Sequence, residues 1–474
     1  MASPRDQLQA HQYLTQRVIS ALVTRESDPE QPPFRRPGVA AVGGLALAVV
    51  ALAVVGIYGV VVPGGATGWR DGDAVVVEKE TGTRFVYLDG RLHPVANYTS
   101  ALLALGKHTR VRSVSRNSLL GVARGPRIGI PDAPDALPGP NRLLDATWTF
   151  CSARGTDRTG ARVPESVLLV GHRPTTGDAL ADRALLAEEA GTGRRHLVLH
   201  GYRHEIHETH ARAVEVALGT GPVVQFDPTV LDVLPAGSPI APIVVPGTGR
   251  PSRAVPGRTD LRIGQVLVTT GSRGARYYLA EAGQLRPIDE LQYDIQLAAP
   301  GTAAAYPAGR PAGVPLSLSE AAGAGKAREV PKTAGDPPAV RPEFVAGDPT
   351  ATVCLVFDRS RPAPHVLVDP VLPAVGAMLE TAGRTDRGTR LADRVLVPAG
   401  QVAVVESMPG PDAPAGTVLV VTDLGVGHPV AEPKVLEVLG LGGIRPARIP
   451  ANLVARIPIG SGLSHESALR RTPT

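Results

Sequence analysis

The pattern of apolar and polar residues divides the chain into a short polar start, one long apolar run and a long mixed remainder. The apolar run extends over 24 uncharged positions, residues 39–62. A helix of this length reaches roughly 36 Å, enough to cross a hydrocarbon layer of ~30 Å. Thirty-eight residues precede the run, which places it later than the apolar core of a cleaved signal peptide. We expect a retained membrane-spanning helix at 39–62, the alternative being a buried core helix.

Charges differ on the two sides of this run. Arg35 and Arg36 stand just before it, whereas the first charges after it are Arg70, Asp71 and Asp73. By the positive-inside rule, residues 1–38 are cytoplasmic and residues 63–474 are extracytoplasmic. The spacing of apolar residues in the cytoplasmic segment predicts one amphipathic helix between residues 6 and 25. This helix could bind a partner protein or lie on the lipid surface. Alternatively, it only keeps the membrane anchor solvated.

Four stretches of the extracytoplasmic region resemble one another. Each contains an apolar run, a glycine turn and a second apolar run, the signature of a β-hairpin. A short helical stretch follows each hairpin, at 97–105, 208–218, 290–297 and 433–439, and a tail ends each copy at Gly125, Gly237, Gly309 or Gly460. The recurring residues are Gly82, Arg84, Gly90 and Pro94; Gly193, Arg195 and Gly201; Gly274, Arg276, Gly283 and Pro287; and Gly416, Gly425 and Pro429.

The order of these four copies along the chain predicts how the extracytoplasmic region is arranged. We expect the second and third copies to form an arm and the first and fourth to lie near the membrane. The two intervals between copies would then form a central domain. The predicted order is repeat 1 at 63–125, the first central interval at 126–192, repeat 2 at 193–237, a linker at 238–258, repeat 3 at 259–309, the second central interval at 310–415, repeat 4 at 416–460 and a tail at 461–474.

The chain has two cysteines, one in each central interval. Cys151 and Cys354 both stand in strand-like apolar runs. In a cytosolic protein they would be buried thiols, whereas an extracytoplasmic position permits a disulfide. Such a bond would close a loop of roughly 200 residues and stabilise the fold by about 5 kcal/mol in the chain-entropy treatment. Two unpaired thiols are the alternative.

Composition narrows the classes of function. The chain carries 49 Lys and Arg against 44 Asp and Glu, so the charges nearly cancel. A nucleic-acid-binding protein with a broad basic field is therefore excluded. Only 4% of residues are aromatic, which leaves small aliphatic residues to build the core. Hydrophobic residues make up 43% of the chain, enough for packed domains.

Motifs for nucleotide or metal chemistry are incomplete. The stretch from Glu320 to Gly325-Lys326-Ala327 lacks the first glycine and the hydroxyl of a P-loop. Five histidines lie close together, but the His207–His210 spacing misses the i, i+4 pair of a zincin. We expect these histidines to form an ordinary polar edge of the second repeat, and a metal site is the alternative. We expect no cofactor in the chain. The five are His196, His200, His204, His207 and His210.

The arginine that recurs near the start of three hairpins has two interpretations. Arg84, Arg195 and Arg276 could contact a partner protein. More often such a side chain pairs with a local carboxylate or covers the sheet with its aliphatic stem. We expect the second arrangement.

Several of these stretches together resemble one known family. They are Arg5-Asp6-Gln7-Leu8-Gln9-Ala10, Gln16 to Leu22, the lead Pro33-Phe34-Arg35-Arg36, and Glu80-Thr-Gly82-Thr-Arg84-Phe-Val-Tyr-Leu. This combination resembles the EccB family, membrane-anchored core components of the actinobacterial type VII (ESX) secretion machinery. The resemblance runs along the whole chain and implies four repeats around a disulfide-linked central domain.

The resemblance also implies partners. An EccB-like protein is expected to assemble with EccC, EccD and EccE subunits, to form homo-oligomers and to lie near the subtilisin-like mycosin protease. Some family members carry an ATPase label. No residues of this sequence support that activity, and the motor is expected to be the EccC-type partner.

The sequence thus predicts an α+β, single-pass membrane protein. Its ectodomain would contain four small hairpin/helix repeats around a disulfide-linked, β-rich central domain. We expect a structural subunit that multimerises around an export path. Two alternatives remain: an extracytoplasmic enzyme, either an ATPase or a metal-dependent hydrolase, and a wall-binding or sensor module.

Overall fold

The computed structural model describes residues 3–25, 35–61, 67–157, 159–272, 274–346, 348–358 and 363–472. Residue 62, at the end of the predicted span, and Pro33-Phe34 of the family resemblance lie outside these ranges. The chain forms two compact units. One contains residues 1–94 and 110–125, and the other contains residues 95–109 and 126–474.

The first unit begins with two helices, α1 (Pro4–Thr24) and α2 (Arg35–Val61). Helix α1 starts two residues before the predicted position because Ser3 caps it: the Asp6 amide donates to Ser3 Oγ, and the Ser3 amide donates to the Asp6 carboxylate. Within α2, Gly38–Tyr58 is long and apolar enough to cross a membrane. Its 21 residues rise about 32 Å.

The first unit also contains a four-stranded sheet, here called sheet 1, and the short helix α4 (Arg116–Leu119). The apolar core against this sheet includes Trp69, Phe85 and Leu92. Helix α3 (Tyr98–Leu105) follows the third strand in sequence and belongs to the second unit. The strands of sheet 1 are β1 (Val75–Glu78), β2 (Arg84–Leu88), β3 (Arg91–Pro94) and β4 (Val111–Val114).

In the second unit, three strands of a central sheet come first, followed by sheet 2. The central strands are β5 (Trp148–Thr156), β6 (Arg162–Val170) and β7 (Asp178–Ala179). Sheet 2 and its helices are β8 (Leu185–Glu189), β9 (Arg195–Leu199), β10 (Tyr202–Ile206), α5 (Ala211–Leu218), β11 (Val223–Phe226) and α6 (Pro228–Val233).

Sheet 3 is next along the chain, and the central sheet then resumes. Sheet 3 and its helices are β12 (Val266–Gly271), β13 (Gly274–Ala280), β14 (Leu285–Ile288), α7 (Glu290–Ala298), β15 (Val314–Pro315) and α8 (Leu318–Gly323). The returning central strands are β16 (Val353–Phe357), β17 (His365–Val368), β18 (Leu379–Glu380) and β19 (Arg394–Leu396).

Sheet 4 ends the chain together with one more helix. Its elements are β20 (Val402–Met408), β21 (Thr417–Thr422), β22 (Gly427–Pro429), α9 (Pro433–Val438), β23 (Ala447–Pro450) and α10 (Ala451–Val454), followed by α11 (His465–Leu469). The result is a mixed α+β protein with several small sheets.

The four small sheets have one strand order. In sheet 1 the order is β3-β2-β1-β4, and sheets 2, 3 and 4 repeat it with β10-β9-β8-β11, β14-β13-β12-β15 and β22-β21-β20-β23. The hairpin strands are antiparallel, whereas the last strand joins the first in parallel. A parallel partner requires a crossover connection, and the chain supplies it through α3, α5, α7 and α9.

The small sheets extend beyond the predicted boundaries. Sheet 2 starts at β8 rather than at residue 193, and sheet 4 starts at β20 rather than at residue 416. Sheet 3 extends past residue 309 to include β15. The repeated sequence pattern begins at the turn before each hairpin, so it does not include the strand that precedes the turn.

The central sheet has seven strands in the order β18-β19-β6-β5-β16-β17-β7. It therefore combines strands from both predicted central intervals, which the chain separates by sheets 2 and 3. One of its faces forms a continuous apolar core with sheets 2 and 4. Phe150 and Leu355 of the central sheet, Phe226 of sheet 2, and Val405 and Ile457 around sheet 4 belong to this core.

The predicted arm differs from this arrangement, because sheet 2 packs on the central sheet. The opposite face of sheet 2 packs with α5 and with α7, through Val214, Leu218, Leu291 and Ile295. The predicted linker at 238–258 is also packed rather than free. Its Ala254 and Val255 are buried in the core of sheet 3.

Candidate functional site: a disulfide-braced scaffold

The two cysteines are joined by a disulfide at the middle of the central sheet. Cys151 on β5 lies directly opposite Cys354 on β16 in the antiparallel register, with 4.0 Å between their Cα atoms. Both side chains are fully buried and pack with Val167, Leu169 and Met378 on the face opposite the shared core. The bond links two strands that are 203 residues apart in sequence.

The alternation of β5 explains why the cysteine occupies this face. Trp148 and Phe150 belong to the shared core, whereas Cys151 and Ala153 belong to the smaller cluster on the other side. Successive side chains of a strand point to opposite faces of a sheet. A one-residue change of register would therefore move the cysteine to the wrong face.

Polar contacts join the two halves of the central sheet beside the disulfide. Ser166 on β6 donates its amide and hydroxyl to one carboxylate oxygen of Asp393, at 2.8 and 2.6 Å. On the next residues, Arg394 Nε lies 2.5 Å from Glu165 Oε1, and Arg394 also pairs with Glu380. The contacts of Ser166 and Glu165 fix β19 against β6, and the pair with Glu380 connects β19 to β18.

Further polar contacts connect sheets 2 and 4 to the same core. The Asp227 amide donates to Ser152 Oγ of the central sheet at 2.9 Å, and the Asp227 carboxylate caps α6 by accepting from the Thr229 amide. Burial raises the pKa of Asp227. From α10, beside sheet 4, the Asn452 side chain donates through Nδ2 to the backbone carbonyls of Asp232 and Val233.

In sheets 1 and 2, the first strand ends in a buried glutamate that the sequence analysis did not single out. In sheet 2, Glu189 Oε2 accepts from Thr192 Oγ1 and pairs with Arg194 at 2.5 Å. These bonds lower the pKa of Glu189, and the bond from Arg194 has the largest effect. In sheet 1, Glu78 likewise accepts from Thr81 Oγ1, but its arginine partner is Arg116 of α4. The shared pattern Glu-x-x-Thr-Gly, at 78–82 and 189–193, is the signal that could have revealed it.

Two of the predicted hairpin turns need their glycine for its backbone conformation. Gly90 follows Asp89 and Gly201 follows His200, and all four residues have positive φ angles. This combination is a type I′ turn, which joins antiparallel strands tightly. Gly425 also has a positive φ of 70°, whereas Gly283 does not, since that turn is longer by one residue.

The recurring arginines have different surroundings. Arg195 pairs with Glu188 at 3.2 Å and with Glu215 of α5, and these bonds raise its pKa, the bond to Glu215 most strongly. Arg276 is exposed and makes no ion pair with the residues that the structure describes. Arg195 therefore pairs with local carboxylates, whereas Arg276 has no such pair among the described residues.

A histidine contacts the tail glycine in three of the sheets. A Cβ added at Gly237 or Gly460 would lie 2.5 Å from Cε1 of His204 or His428, and Gly125 has the same relation to His93. The backbone of each tail also pairs with the last hairpin strand; in sheet 2, for example, the Gly237 amide donates to the Arg203 carbonyl.

The tail of sheet 3 is not at the predicted position. The sequence pattern ends it at Gly309, but the equivalent pairing joins Leu285 to residues 325–327: the Leu285 amide donates to Gly325, and the Ala327 amide donates to Leu285. Arg286 replaces the histidine and Ala327 replaces the glycine. The tail of the third copy therefore lacks the glycine that marks the other three.

The histidine cluster of sheet 2 does not form a metal centre. Among the described residues, no group of three His, Cys, Asp or Glu side chains is arranged to hold a metal ion. His196 and His204 are buried, while His207 caps the turn that follows by accepting from the Thr209 amide. The cluster is divided between two buried rings and a polar edge.

In the described part of the chain, a helix long and apolar enough to span a membrane, five β-sheets and a central disulfide indicate a membrane-anchored, β-rich protein. The family described as "Type VII secretion system ESX-1, transport TM domain B" matches residues 2–474. The chain therefore belongs to this family, EccB, of structural membrane subunits of the type VII secretion machinery.

Curated relatives extend over nearly the whole chain. The chain is 28% identical to the ESX-2 secretion system ATPase EccB2 of Mycobacterium tuberculosis, covering 98% of this chain and 94% of the relative. It is 27% identical to the ESX-3 secretion system ATPase EccB3 of Mycolicibacterium smegmatis, covering 98% and 90%.

Solved structures share the fold. A chain of the intact ESX-5 inner membrane complex matches with a TM-score of 0.66 at 22% identity, covering 100% of this chain and 96% of that one. A chain from the EccB3 dimer of the ESX-3 core complex matches with a TM-score of 0.65 at 25% identity, covering 84% and 100%.

Proposed function

We propose that the chain is a rigid scaffold that multimerises around the export path of a type VII secretion complex. The observation that carries this proposal is the continuous core of the central sheet with sheets 2 and 4, braced by the Cys151–Cys354 bond. A shared core and a long-range covalent link make these sheets one mechanical body. Such a body can hold partners at fixed positions.

We further infer that the N-terminus is cytoplasmic and the sheets are extracytoplasmic. The disulfide supports this orientation, since such bonds persist in oxidising compartments. Two single-cysteine additions test it: Val371→Cys, on an exposed site of the second unit, and Gln12→Cys on α1. A membrane-impermeant maleimide should label the Val371 variant in intact cells and the Gln12 variant only after permeabilisation. The reverse labelling would exclude this topology.

The partners proposed are EccC-, EccD- and EccE-like subunits, other copies of this chain and the mycosin protease. The likeness to chains of an ESX-5 inner membrane complex and an EccB3 dimer supports a multi-subunit assembly. Purification of the tagged chain in mild detergent, followed by mass spectrometry, should recover these subunits at a mass well above the monomer. Recovery of the chain alone as a monomer would contradict the proposal.

We infer also that the four small sheets are copies of one structural unit. The common strand order and the repeated tail pairing support this interpretation. The relatives' names include ATPase, so the purified chain should also be tested for ATP turnover. We expect none above background, because the sequence lacks a P-loop.

A further inference from the structure

Two segments connect sheet 2 with sheet 3, and they are bonded to each other. The chain leaves sheet 2 through residues 235–240 and returns through residues 333–338. Where they meet, the Ser238 amide donates to the Gly335 carbonyl at 2.8 Å. The Ser238 hydroxyl also donates to Asp336 Oδ1 at 3.1 Å. The outgoing and returning segments therefore form a single junction.

The ring of His204 lies in this junction. It is fully buried, and its Nδ1 is 2.9 Å from the Ser238 carbonyl oxygen. A Cβ added at Gly237 would lie 2.5 Å from the ring and 2.8 Å from the Gly335 carbonyl oxygen. Gly237 is thus enclosed between the imidazole on one side and the returning backbone on the other. The ring closes the junction by packing as well as by its hydrogen bond.

The surroundings of His204 favour a neutral ring. Because a carbonyl oxygen only accepts, Nδ1 carries the proton, and the buried Nε2 has no partner among the described residues. The titratable groups that lie near the ring are His200 of the hairpin and Asp336 of the returning segment. Asp336 already accepts from the Thr333 amide and hydroxyl. Burial lowers the pKa of His204.

Sheets 3 and 4 supply two natural comparisons. In sheet 3, Arg286 stands where the histidine would be and pairs with Glu281 at 2.6 Å, and the tail residue is Ala327. The histidine and the glycine are thus replaced together. In sheet 4, the carboxylate of Asp132 lies beside the tail, where it accepts from the Ser461 amide at 2.7 Å.

We propose that the His204–Gly237 contact is a proton-released latch that holds the two segments between sheets 2 and 3 together while the imidazole is neutral. A proton added at Nε2 would place a cation in a buried position without an acceptor. The ring then leaves the junction. The hydrogen bond between His204 Nδ1 and the Ser238 carbonyl oxygen is broken. Packing of α5 on α7 keeps the sheets in contact, so the opening is local.

Hydrogen exchange of the full-length chain in detergent at pH 7.5 and pH 5.0, corrected for the intrinsic exchange rate, tests this proposal. We expect residues 235–241 and 333–338 to lose about tenfold in protection at pH 5.0, because protonation of His204 favours the open state. Residues 148–156 of the central sheet should stay protected, which shows that the fold is intact. Unchanged protection of the junction at pH 5.0 would overturn the latch.

Two variants separate the latch from general acid sensitivity. His204→Asn keeps a donor for the Ser238 carbonyl but cannot be protonated, so its junction should be equally protected at both pH values. His210→Asn, in the turn that leads into α5, should respond like the unmodified chain. Gly237→Ala pushes the ring out and should show the low-pH exchange pattern already at pH 7.5. Native protection in Gly237→Ala, or a tenfold acid response in His204→Asn, would contradict the proposal.

Discussion

Ser166 and Asp393 are 227 residues apart in sequence and form a closed pair of hydrogen bonds. Ser166 Oγ donates to the Asp393 carboxylate at 2.6 Å and accepts from the Asp393 amide at 3.0 Å. Ser166 is almost completely buried. This pair therefore ties a strand of the first central interval to the segment that leads into β19.

Replacing Ser166 by alanine should weaken that connection. Ser166→Ala leaves the Asp393 amide without its acceptor and removes one of the two donors to the carboxylate oxygen, which should cost about 1–3 kcal/mol in the free energy of unfolding. Urea unfolding of the purified chain measures it. Ser272→Ala, at an exposed turn, should have no measurable effect. Equal stabilities of the two variants would show that the pair contributes little.

Removing the disulfide should destabilise the second unit. The loop closed by Cys151 and Cys354 spans 203 residues, for which chain entropy gives about 5 kcal/mol as an upper value. We expect the double Cys→Ser variant to unfold at a clearly lower urea concentration. Peptide mapping without reductant should recover the two cysteines in one cross-linked fragment. Alkylation of both thiols in unreduced protein would exclude the bond.

A cavity in the shared core should affect sheets 2 and 4 together with the central sheet. Phe150 is completely buried where these sheets meet. Phe150→Ala should cost about 3–5 kcal/mol. Limited proteolysis should then cut all three sheets with the same time course. Val371→Ala, at an exposed valine, is the control and should leave the cleavage rates unchanged. Selective cleavage of one sheet would show that the core is not shared.

A methyl group at the tail of sheet 4 should clash with the histidine ring. Gly460→Ala places Cβ 2.5 Å from His428, a contact that real side chains avoid. We expect a loss of about 1–3 kcal/mol, partly restored when His428→Ala is added. Gly309→Ala, which has open space around it, should be neutral. Additive effects of the Gly460 and His428 changes would indicate no contact.

The buried Glu189 should make stability depend on pH. Its pKa is lowered in the folded protein, so it contributes stability above the unfolded value, near 4.3 to 4.5, and this contribution is lost as pH falls through the folded pKa. Glu189→Gln should therefore lose stability at pH 7 and show a smaller decrease on acidification to pH 3. Glu208→Gln, at an exposed glutamate, should keep the dependence of the unmodified chain.

Much of the architecture could be predicted because its signals are local. A long uncharged run and a glycine at each hairpin turn are readable without knowledge of distant contacts. The first strands β8 and β20 were missed because they precede the recurring motif and carry no turn signal of their own. The parallel pairing that includes them depends on residues about 40 positions away.

The remaining errors have the same physical origin. A Tyr-Pro-Ala-Gly stretch ending at Gly309 has the sequence of a tail, whereas the tail that pairs in sheet 3 contains Ala327 in place of the glycine. Composition suggested a free linker at 238–258, yet Val255 is buried there. Glycine- and proline-rich segments pack well when a neighbouring sheet offers an apolar surface, and sequence alone does not show that neighbour.

The insertion of sheets 2 and 3 between the two halves of the central sheet has a consequence for biosynthesis. Strand β5 cannot meet β16 until the ribosome has added about 200 further residues, which takes roughly 10–40 s at ordinary elongation rates. During that interval the edge of β5 that will pair with β16 has no partner strand, and the apolar side chains of β5 are not yet fully covered. Nascent chains of this protein should therefore depend on a holding chaperone for longer than chains whose sheets close in order.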